Sequence, residues 1–200
     1  MIVKICGITS FEDAQHSVEC GANALGFNFY KPSPRYLEPE EAQRIMRGLP
    51  SRIIKVGIVV VHPNGNDDGW KELPLDAVQF YGLQGPSRIP QTRKQIWVAT
   101  SPDSIREFPD NRILVDTSWG TGRKEDWEAL RHLGRGFILS GGLTPENVRE
   151  AVRLLHPEGV DVCSGVEISP GVKDPTKIER FIKNAWDESP QKISPQGELP

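Results

Sequence analysis

The segment Val56-Gly57-Ile58-Val59-Val60-Val61 carries no polar side chain at any position. A strand with one face in water alternates apolar and polar residues, whereas a strand covered on both faces is apolar throughout. Parallel sheets are covered in this way, because their crossover helices pack against the faces of the sheet. The segment therefore predicts a buried strand in a parallel sheet and a protein of the α/β class.

Seven more short apolar segments flank this one, and they set the number of strands. The eight predicted strands lie near residues 2–6, 24–29, 53–61, 76–80, 95–99, 111–116, 136–140 and 159–163. Their starts are 16 to 29 residues apart, about the length of one strand and its crossover. Eight such units without a second compositional zone favour a single closed (β/α)₈ TIM barrel, with a doubly wound open sheet as the alternative.

Helix starts can be recognised between several of the strands. Thr9 and Glu12 form a capping-box pattern, and Pro39 suits the first position of a helix. Thr144 and Asp174, each followed by proline, are the predicted N-caps of two later helices.

Two crossovers are too short or too rich in turn formers for a full helix. Residues 62–75 contain a run of Pro, Asn, Gly and Asp, and residues 100–110 provide about the minimum length for a crossover. We therefore predict a compact barrel domain over residues 1–186, with one or two shortened crossover helices. The segment 187–200 lacks an apolar face and is predicted to be a disordered tail.

Composition narrows the class of protein. With 24 basic and 27 acidic residues the net charge is −3, so no basic excess is available to bind nucleic acid. No apolar run approaches the roughly 18 residues that a membrane span needs, and no signal-peptide pattern is visible. Three cysteines, an odd number, suit a reducing compartment better than a disulfide framework. We expect a cytoplasmic protein with no nucleic-acid or membrane partner.

Candidate catalytic residues follow the strands, because a barrel of this kind has its active site at the carboxyl ends of its strands. Cys6 ends the first strand and could be a reactive thiol, although free cysteines are often small buried hydrophobes. Asp116 ends the sixth strand and could be a general acid or a turn residue. Arg35 lies in a proline-stiffened loop and could bind a carboxylate or remain solvated.

Glycine turns follow the last two predicted strands. Gly141 and Gly142 follow the seventh strand, and Ser164 and Gly165 follow the eighth. Backbone N–H groups at such turns can converge on an anion, and the loops after strands 7 and 8 form a recurring phosphate site in barrels. The four histidines show no ligand spacing, so we predict no metal site.

Motifs that match a known family occur in order from Ile2 to about Ile182. The matching segments are Val3-Lys4-Ile5-Cys6-Gly7-Ile8-Thr9, Ala24-Leu25-Gly26-Phe27, Ser33-Pro34-Arg35, Val56-Gly57-Ile58, Asp76-Ala77-Val78-Gln79, Leu114-Val115-Asp116-Thr117, Gly120-Thr121-Gly122, Asp126-Trp127, Ser140-Gly141-Gly142-Leu143-Thr144-Pro145-Glu146-Asn147-Val148, Gly159-Val160-Asp161-Val162, Ser164-Gly165-Val166-Glu167 and Gly171-Val172-Lys173-Asp174. On these motifs the chain resembles the phosphoribosylanthranilate isomerases of tryptophan biosynthesis.

The resemblance implies a cofactor-independent Amadori rearrangement of N-(5-phosphoribosyl)anthranilate to 1-(2-carboxyphenylamino)-1-deoxyribulose 5-phosphate. It implies that Asp116 is the general acid that opens the ribose ring and that Cys6 is the general base that removes the C2 proton. Arg35 would bind the anthranilate carboxylate, and Asp161 would lie near the ribose. The residues that would bind the phosphate are Gly141, Gly142, Ser164 and Gly165. The partner would be this small-molecule substrate, and the enzyme a monomer or homodimer.

The chain departs from the family pattern at three places. Tyr81 occupies the usual histidine position after the fourth strand, where we expect it to contact substrate. The loop after Asp116 is shorter than usual. Cys163 replaces the usual serine, and because strands 8 and 1 are neighbours in a closed barrel, it could lie near Cys6 and be oxidised together with it.

Two other functions remain open at this stage. A phosphosugar-binding barrel could keep the phosphate site and have reduced or lost catalysis. Another phosphosugar enzyme, such as an epimerase or the related isomerase of histidine biosynthesis, would use metal-binding histidines or paired aspartates, and the cysteine that ends the first strand argues against it.

Overall fold

Eight parallel strands close into a barrel in the computed structural model, which describes residues 1–62, 68–116, 127–133 and 136–189. The barrel strands are β1 Ile2–Ile5, β2 Ala24–Asn28, β3 Ile54–Val60, β4 Ala77–Tyr81, β5 Gln95–Thr100, β6 Arg112–Asp116, β7 Ile138–Ser140 and β8 Gly159–Val162. Each strand pairs with the next along the chain, and β8 pairs with β1. The predicted TIM barrel is confirmed, and the open-sheet alternative is wrong.

The described residues outside the barrel form helices and a small hairpin. The α-helices are α1 Phe11–Glu19, α2 Pro39–Arg47, α3 Trp127–Leu130, α4 Val148–Leu155 and α5 Pro175–Asp187. Short 3₁₀ helices cover Pro86–Arg88, Pro102–Glu107 and Ser164–Val166. An antiparallel pair, β9 Glu167–Ser169 and β10 Val172–Lys173, follows β8. None of these described helices is both long and apolar enough to cross a membrane.

Two hydrophobic layers explain why β3 is apolar at every position except Lys55, near its start. Val56 belongs to the cluster that fills the barrel interior, together with Trp97 and Leu114. Val59 belongs to the larger cluster between the strands and the helices. Both faces of β3 are thus removed from water, as the sequence indicated.

Two of the four predicted helix starts are confirmed and two are wrong. Pro39 begins α2, and the Asp174 side chain accepts hydrogen bonds from the first-turn N–H groups of α5. Ser10 rather than Thr9 caps α1, since the Thr9 hydroxyl donates instead to the carbonyl of Gly171 at 2.6 Å. α4 begins only at Val148, because Thr144 lies in a turn before the helix.

Apolar side chains cover the barrel where crossover helices are short or missing. The 100–110 crossover holds only the 3₁₀ helix Pro102–Glu107, and residues 68–75 hold no helix. A third connection between β4 and β5 also lacks an α-helix, which the sequence analysis did not predict. Trp70 and Phe108, each 1% exposed, seal the outer face of the strands instead. Residues 190–200 of the predicted tail lie outside the described residues, while α5 continues to Asp187.

Candidate active site

A cavity of about 500 Å³ opens at the carboxyl ends of the strands. Eight of the nine predicted site residues line it: Cys6, Arg35, Tyr81, Asp116, Gly141, Gly142, Asp161 and Ser164. The ninth, Gly165, packs against the backbone of Leu143 and Thr144 in the loop after β7. The cavity therefore brings together side chains of β4, β6 and β8, the Cys6 side chain just after β1, and the loops that follow β2, β7 and β8.

Cys6 follows β1 at the floor of the cavity and is 9% exposed. Gly26 makes room for the thiol, because a Cβ atom at that position would lie 2.9 Å from the Cys6 Sγ. The neighbouring Cys163 thiol lowers the pKa of Cys6 to about 7, against the effect of burial and with help from the charge on Lys4. A thiol with this pKa is substantially ionised at neutral pH.

A buried ion pair lies beneath Cys6. Lys4 Nζ and Asp161 Oδ1 are 2.8 Å apart, with the lysine side chain wholly buried and the aspartate 3% exposed. Ser140 Oγ donates to the other carboxylate oxygen at 3.0 Å. Burial alone would lower the pKa of Lys4, but the charges of Asp161 and Cys6 raise it above its ordinary value. Lys4 is thus a permanent cation next to the Cys6 thiol.

Asp116 ends β6 and is hydrogen-bonded to Tyr81, which ends β4. Tyr81 OH donates to Asp116 Oδ2 at 3.2 Å, and Gln79 Nε2 donates to Tyr81 OH at 3.0 Å. Burial, followed by the negative charge of Asp116, raises the pKa of Tyr81 well above its ordinary value, so the phenol stays protonated. Tyr81 therefore orients the carboxyl group of Asp116, besides lining the cavity.

Arg35 is held at the cavity edge by its own loop and by Glu167. Ser33 Oγ accepts from Arg35 N at 3.1 Å, which fixes the loop backbone. The guanidinium donates from Nε and Nη2 to the two Glu167 oxygens at 2.8 and 2.7 Å. Gly7 has φ +69°, and a Cβ there would lie 2.8 Å from Arg35 Cδ, so the close approach of the arginine requires glycine.

Lys173 completes the charge balance around Glu167. Its Nζ lies 3.0 Å from Glu167 Oε1, and its side chain is wholly buried. Although burial alone would raise the pKa of Glu167, hydrogen bonds from Arg35 and the charge of Lys173 lower it. Two cations therefore share one carboxylate, which leaves a positive excess at this edge of the cavity.

The glycine turns after β7 and β8 pack directly on one another. Gly141 and Gly142 have φ of +87° and +65°, a backbone region that favours glycine. A side chain on Gly165 would collide with the carbonyl of Leu143, so the two loops can approach only because Gly165 has none. The Asn147 amide group bonds to Gly142 O and Thr144 N and fixes the first loop.

Several charged partners were missed by the sequence reasoning. Lys4 lies two residues before Cys6, so both side chains point to the same face of β1, and a lysine in a buried strand needs a counter-ion. That pattern could have predicted the pair with Asp161. Glu167 and Lys173 carried no comparable pattern, because they meet only through the β9–β10 hairpin.

Comparison with known proteins shows which protein family the chain belongs to. The family model described as N-(5'-phosphoribosyl)anthranilate (PRA) isomerase matches residues 3–184. The chain belongs to the PRA isomerase family. A PRA isomerase of Geobacter sp. (strain M21) is 42% identical over 202 residues, with 92% of this chain and 97% of the relative covered.

Solved structures of PRA isomerases share the fold. The crystal structure of the Thermotoga maritima enzyme matches with a TM-score of 0.82 at 41% identity, covering 92% of this chain and 98% of that one. A PRA isomerase structure in complex with reduced 1-(o-carboxyphenylamino)-1-deoxyribulose 5-phosphate matches with a TM-score of 0.80, at the same identity and coverage. The chain therefore matches these two PRA isomerase structures over nearly their full length.

Proposed function

We propose that this chain is the PRA isomerase of a tryptophan-biosynthesis pathway and that it acts by general acid–base catalysis without a cofactor. The observation that carries the proposal is that Cys6 and Asp116 face one cavity, between a positively charged edge and a pair of interlocked glycine turns. A carboxyl group, a low-pKa thiol, a cation and an anion site are what this rearrangement requires.

Asp116 starts the reaction. Its carboxyl group protonates the ribose ring oxygen, and the ring opens to a Schiff base between C1 and the anthranilate nitrogen. The Tyr81 hydroxyl orients Asp116, so the proton is delivered along one direction. A positioned acid of this kind contributes roughly 10²–10⁴-fold to the rate.

Cys6 then removes the proton from ribose C2. The cationic Schiff base makes this proton acidic, so a thiolate with a pKa of about 7 is basic enough to take it. The electron pair released at C2 neutralises the nitrogen cation and gives an enolamine. Tautomerisation of the enolamine to the ketone completes the rearrangement.

The two ends of the substrate are bound by different parts of the cavity. Arg35 gives two of its five N–H groups to Glu167 and keeps others for the anthranilate carboxylate. Gly141, Gly142, Ser164 and Gly165 bind the phosphate through their backbone N–H groups. Asp161 lies below the ribose, held by Lys4. This arrangement fixes C2 of the ribose close to Cys6.

Loss of PRA fluorescence on adding the purified protein tests the proposal. We expect turnover by the parent and a loss of about 10²-fold or more in Cys6→Ser and in Asp116→Asn. Cys20→Ser is the matched control, because this thiol ends α1 and does not line the cavity. Full activity in either site variant would reject the acid–base roles, and a parent that binds PRA without converting it would indicate a binding barrel instead.

A further inference from the structure

Glu167, the first residue of the β9–β10 hairpin, binds Arg35 although it does not itself line the cavity. The guanidinium donates to it from its side edge, with Nε and Nη2 at 2.8 and 2.7 Å from the two carboxylate oxygens. The end edge, formed by Nη1 and the other N–H of Nη2, makes no hydrogen bond to a described residue. A guanidinium can pair with a carboxylate at either edge. Because Glu167 occupies the side edge, a second carboxylate can bind only at the end edge.

The Glu167 carboxylate is held in place by groups other than Arg35. Its side chain is 4% exposed, and its Oε1 lies 3.0 Å from Lys173 Nζ. The same oxygen accepts from Gly171 N at 3.3 Å and from Cys163 Sγ at 3.8 Å. Lys177 Nζ donates to the backbone carbonyl of Glu167 at 2.8 Å. The hairpin therefore fixes the carboxylate, and the carboxylate in turn can orient the arginine.

One short stretch of chain connects the phosphate-binding end of the cavity with the arginine. The 3₁₀ helix Ser164–Val166, which carries two of the proposed phosphate-binding residues, directly precedes Glu167. At the hairpin turn, Gly171 has φ +85°, and a Cβ there would lie 3.0 Å from Pro34 O. The hairpin thus packs against the loop of Arg35 at this turn as well as through Glu167. Its contacts set how far the arginine lies from the glycine turns.

We propose that Glu167 is a positioning residue that sets the preference for a carboxylate on the substrate, by turning the end edge of Arg35 toward the cavity at a fixed distance from the glycine turns. The proposal deepens the proposed function and rests on it for the identity of the ligand, a phosphate ester with an aryl carboxylate at its other end. Lys173 balances the charge of Glu167, so Arg35 keeps its own positive charge for that carboxylate.

The experiment measures binding of two compounds by calorimetry, so that it needs no turnover. One is reduced 1-(o-carboxyphenylamino)-1-deoxyribulose 5-phosphate, and the other is the same compound without its carboxylate. The variant is Glu167→Gln, whose amide N–H₂ group cannot accept from the guanidinium, so the two-bond pair is lost. Glu41→Gln is the matched control, because this carboxylate pairs with Arg44 on α2 and does not line the cavity.

We expect the parent and the control to bind the carboxylate compound about 10²-fold more tightly than its analogue. In Glu167→Gln this preference should fall about tenfold, with binding of the analogue unchanged. In the isomerase assay, the KM for PRA should rise about tenfold with little change in kcat, because the carboxylate is bound equally before and during the reaction. An unchanged preference, or an equal loss of affinity for both compounds, would overturn the proposal.

A second pair of variants tests whether Glu167 acts through Arg35. Lysine has no fork to orient, so adding Glu167→Gln to Arg35→Lys should change the preference little. Losses that multiply would show that Glu167 acts independently and would refute the positioning role.

Glu167→Gln leaves Lys173 buried without its carboxylate, which is a cost to folding. If that variant does not fold, Glu167→Gln/Lys173→Met removes both charges and should show the same tenfold fall in preference. A preference equal to that of the parent would overturn the proposal in this variant too.

The two proposals fail in different ways. A parent that prefers the carboxylate compound but does not convert PRA would reject the isomerase function, while a fall in preference in Glu167→Gln would still support the positioning role. A parent that converts PRA but binds both compounds equally would retain the isomerase function and overturn the role of Glu167.

Discussion

We expect that removing either Lys4 or Asp161 alone strongly lowers the stability of the fold. The intact ion pair, by contrast, should contribute little net stability. At 2.8 Å and an effective dielectric constant of ~20, the two charges attract each other by about 6 kcal/mol. Removing each ion from water costs several kcal/mol, so the attraction is largely offset. Replacing Lys4 alone leaves the Asp161 carboxylate buried without its cation.

We expect Lys4→Met to lower the free energy of unfolding by about 3–5 kcal/mol at pH 7, a large part of the ~5–15 kcal/mol typical of a domain. Asp161→Asn should cost a similar amount, because it leaves the ammonium group unpaired. The double variant Lys4→Met/Asp161→Asn should lose far less than the sum, since neither charge remains. Urea unfolding of the four proteins measures this cycle.

The direction in which the pKa of Lys4 is shifted determines how the coupling energy between Lys4 and Asp161 depends on pH. The pKa of Lys4 is raised in the folded state, so the stability that it contributes is fully present below its unfolded pKa of about 10.5. That contribution is lost only as the pH rises through the raised value. The coupling energy should therefore be constant from pH 6 to 9. A Lys4→Met variant within about 1 kcal/mol of the parent, or additive single effects, would refute the reasoning.

Three further predictions concern the cavity. Tyr81→Phe removes the hydroxyl that donates to Asp116. Steady-state fluorescence assays should show kcat lowered about tenfold, as expected for the loss of one hydrogen bond to a charged group, and circular dichroism should show an intact fold. An unchanged kcat would contradict this prediction. Diamide, an azo oxidant that takes up two electrons and two protons, should join Cys6 to Cys163 and lower the free thiols of the denatured protein from three to one. An unchanged thiol count would reject that linkage. Gly165→Ala should force the loops after β7 and β8 apart and weaken inhibition by inorganic phosphate.

The strands could be predicted from the sequence because a strand that is buried on both faces has a mainly apolar sequence. A strand such as β3 is apolar at every position except Lys55, and eight mainly apolar segments at regular spacing allow few folds besides a barrel. Helix starts were less predictable, because one hydroxyl or amide can serve several partners. Thr9 is a good capping residue by type, yet its hydroxyl donates to Gly171, 162 residues away in sequence.

The location of the site residues was predictable for a similar reason, while their partners were not. Residues at strand ends must face the same mouth of a barrel, and the roles proposed for them come from the resemblance to a known family. The link from Tyr81 to Asp116 depends on two side chains 35 residues apart, and the link from Arg35 to Glu167 spans 132 residues. No local pattern encodes such contacts, because they arise only when the barrel closes.

The charges around the cavity explain how a thiol can serve as the base in the proposed reaction. Three cations, Lys4, Arg35 and Lys173, are paired with two carboxylates, those of Asp161 and Glu167. The charges of Lys4 and Lys173 favour the thiolate form of Cys6, against the effect of Asp161, while the third carboxylate of the cavity, that of Asp116, is hydrogen-bonded to Tyr81. A strongly basic residue is unnecessary, because the Schiff base formed by ring opening makes the C2 proton acidic. The site therefore needs a base that is ionised at neutral pH more than it needs a strong one, and a cysteine with a lowered pKa meets that requirement.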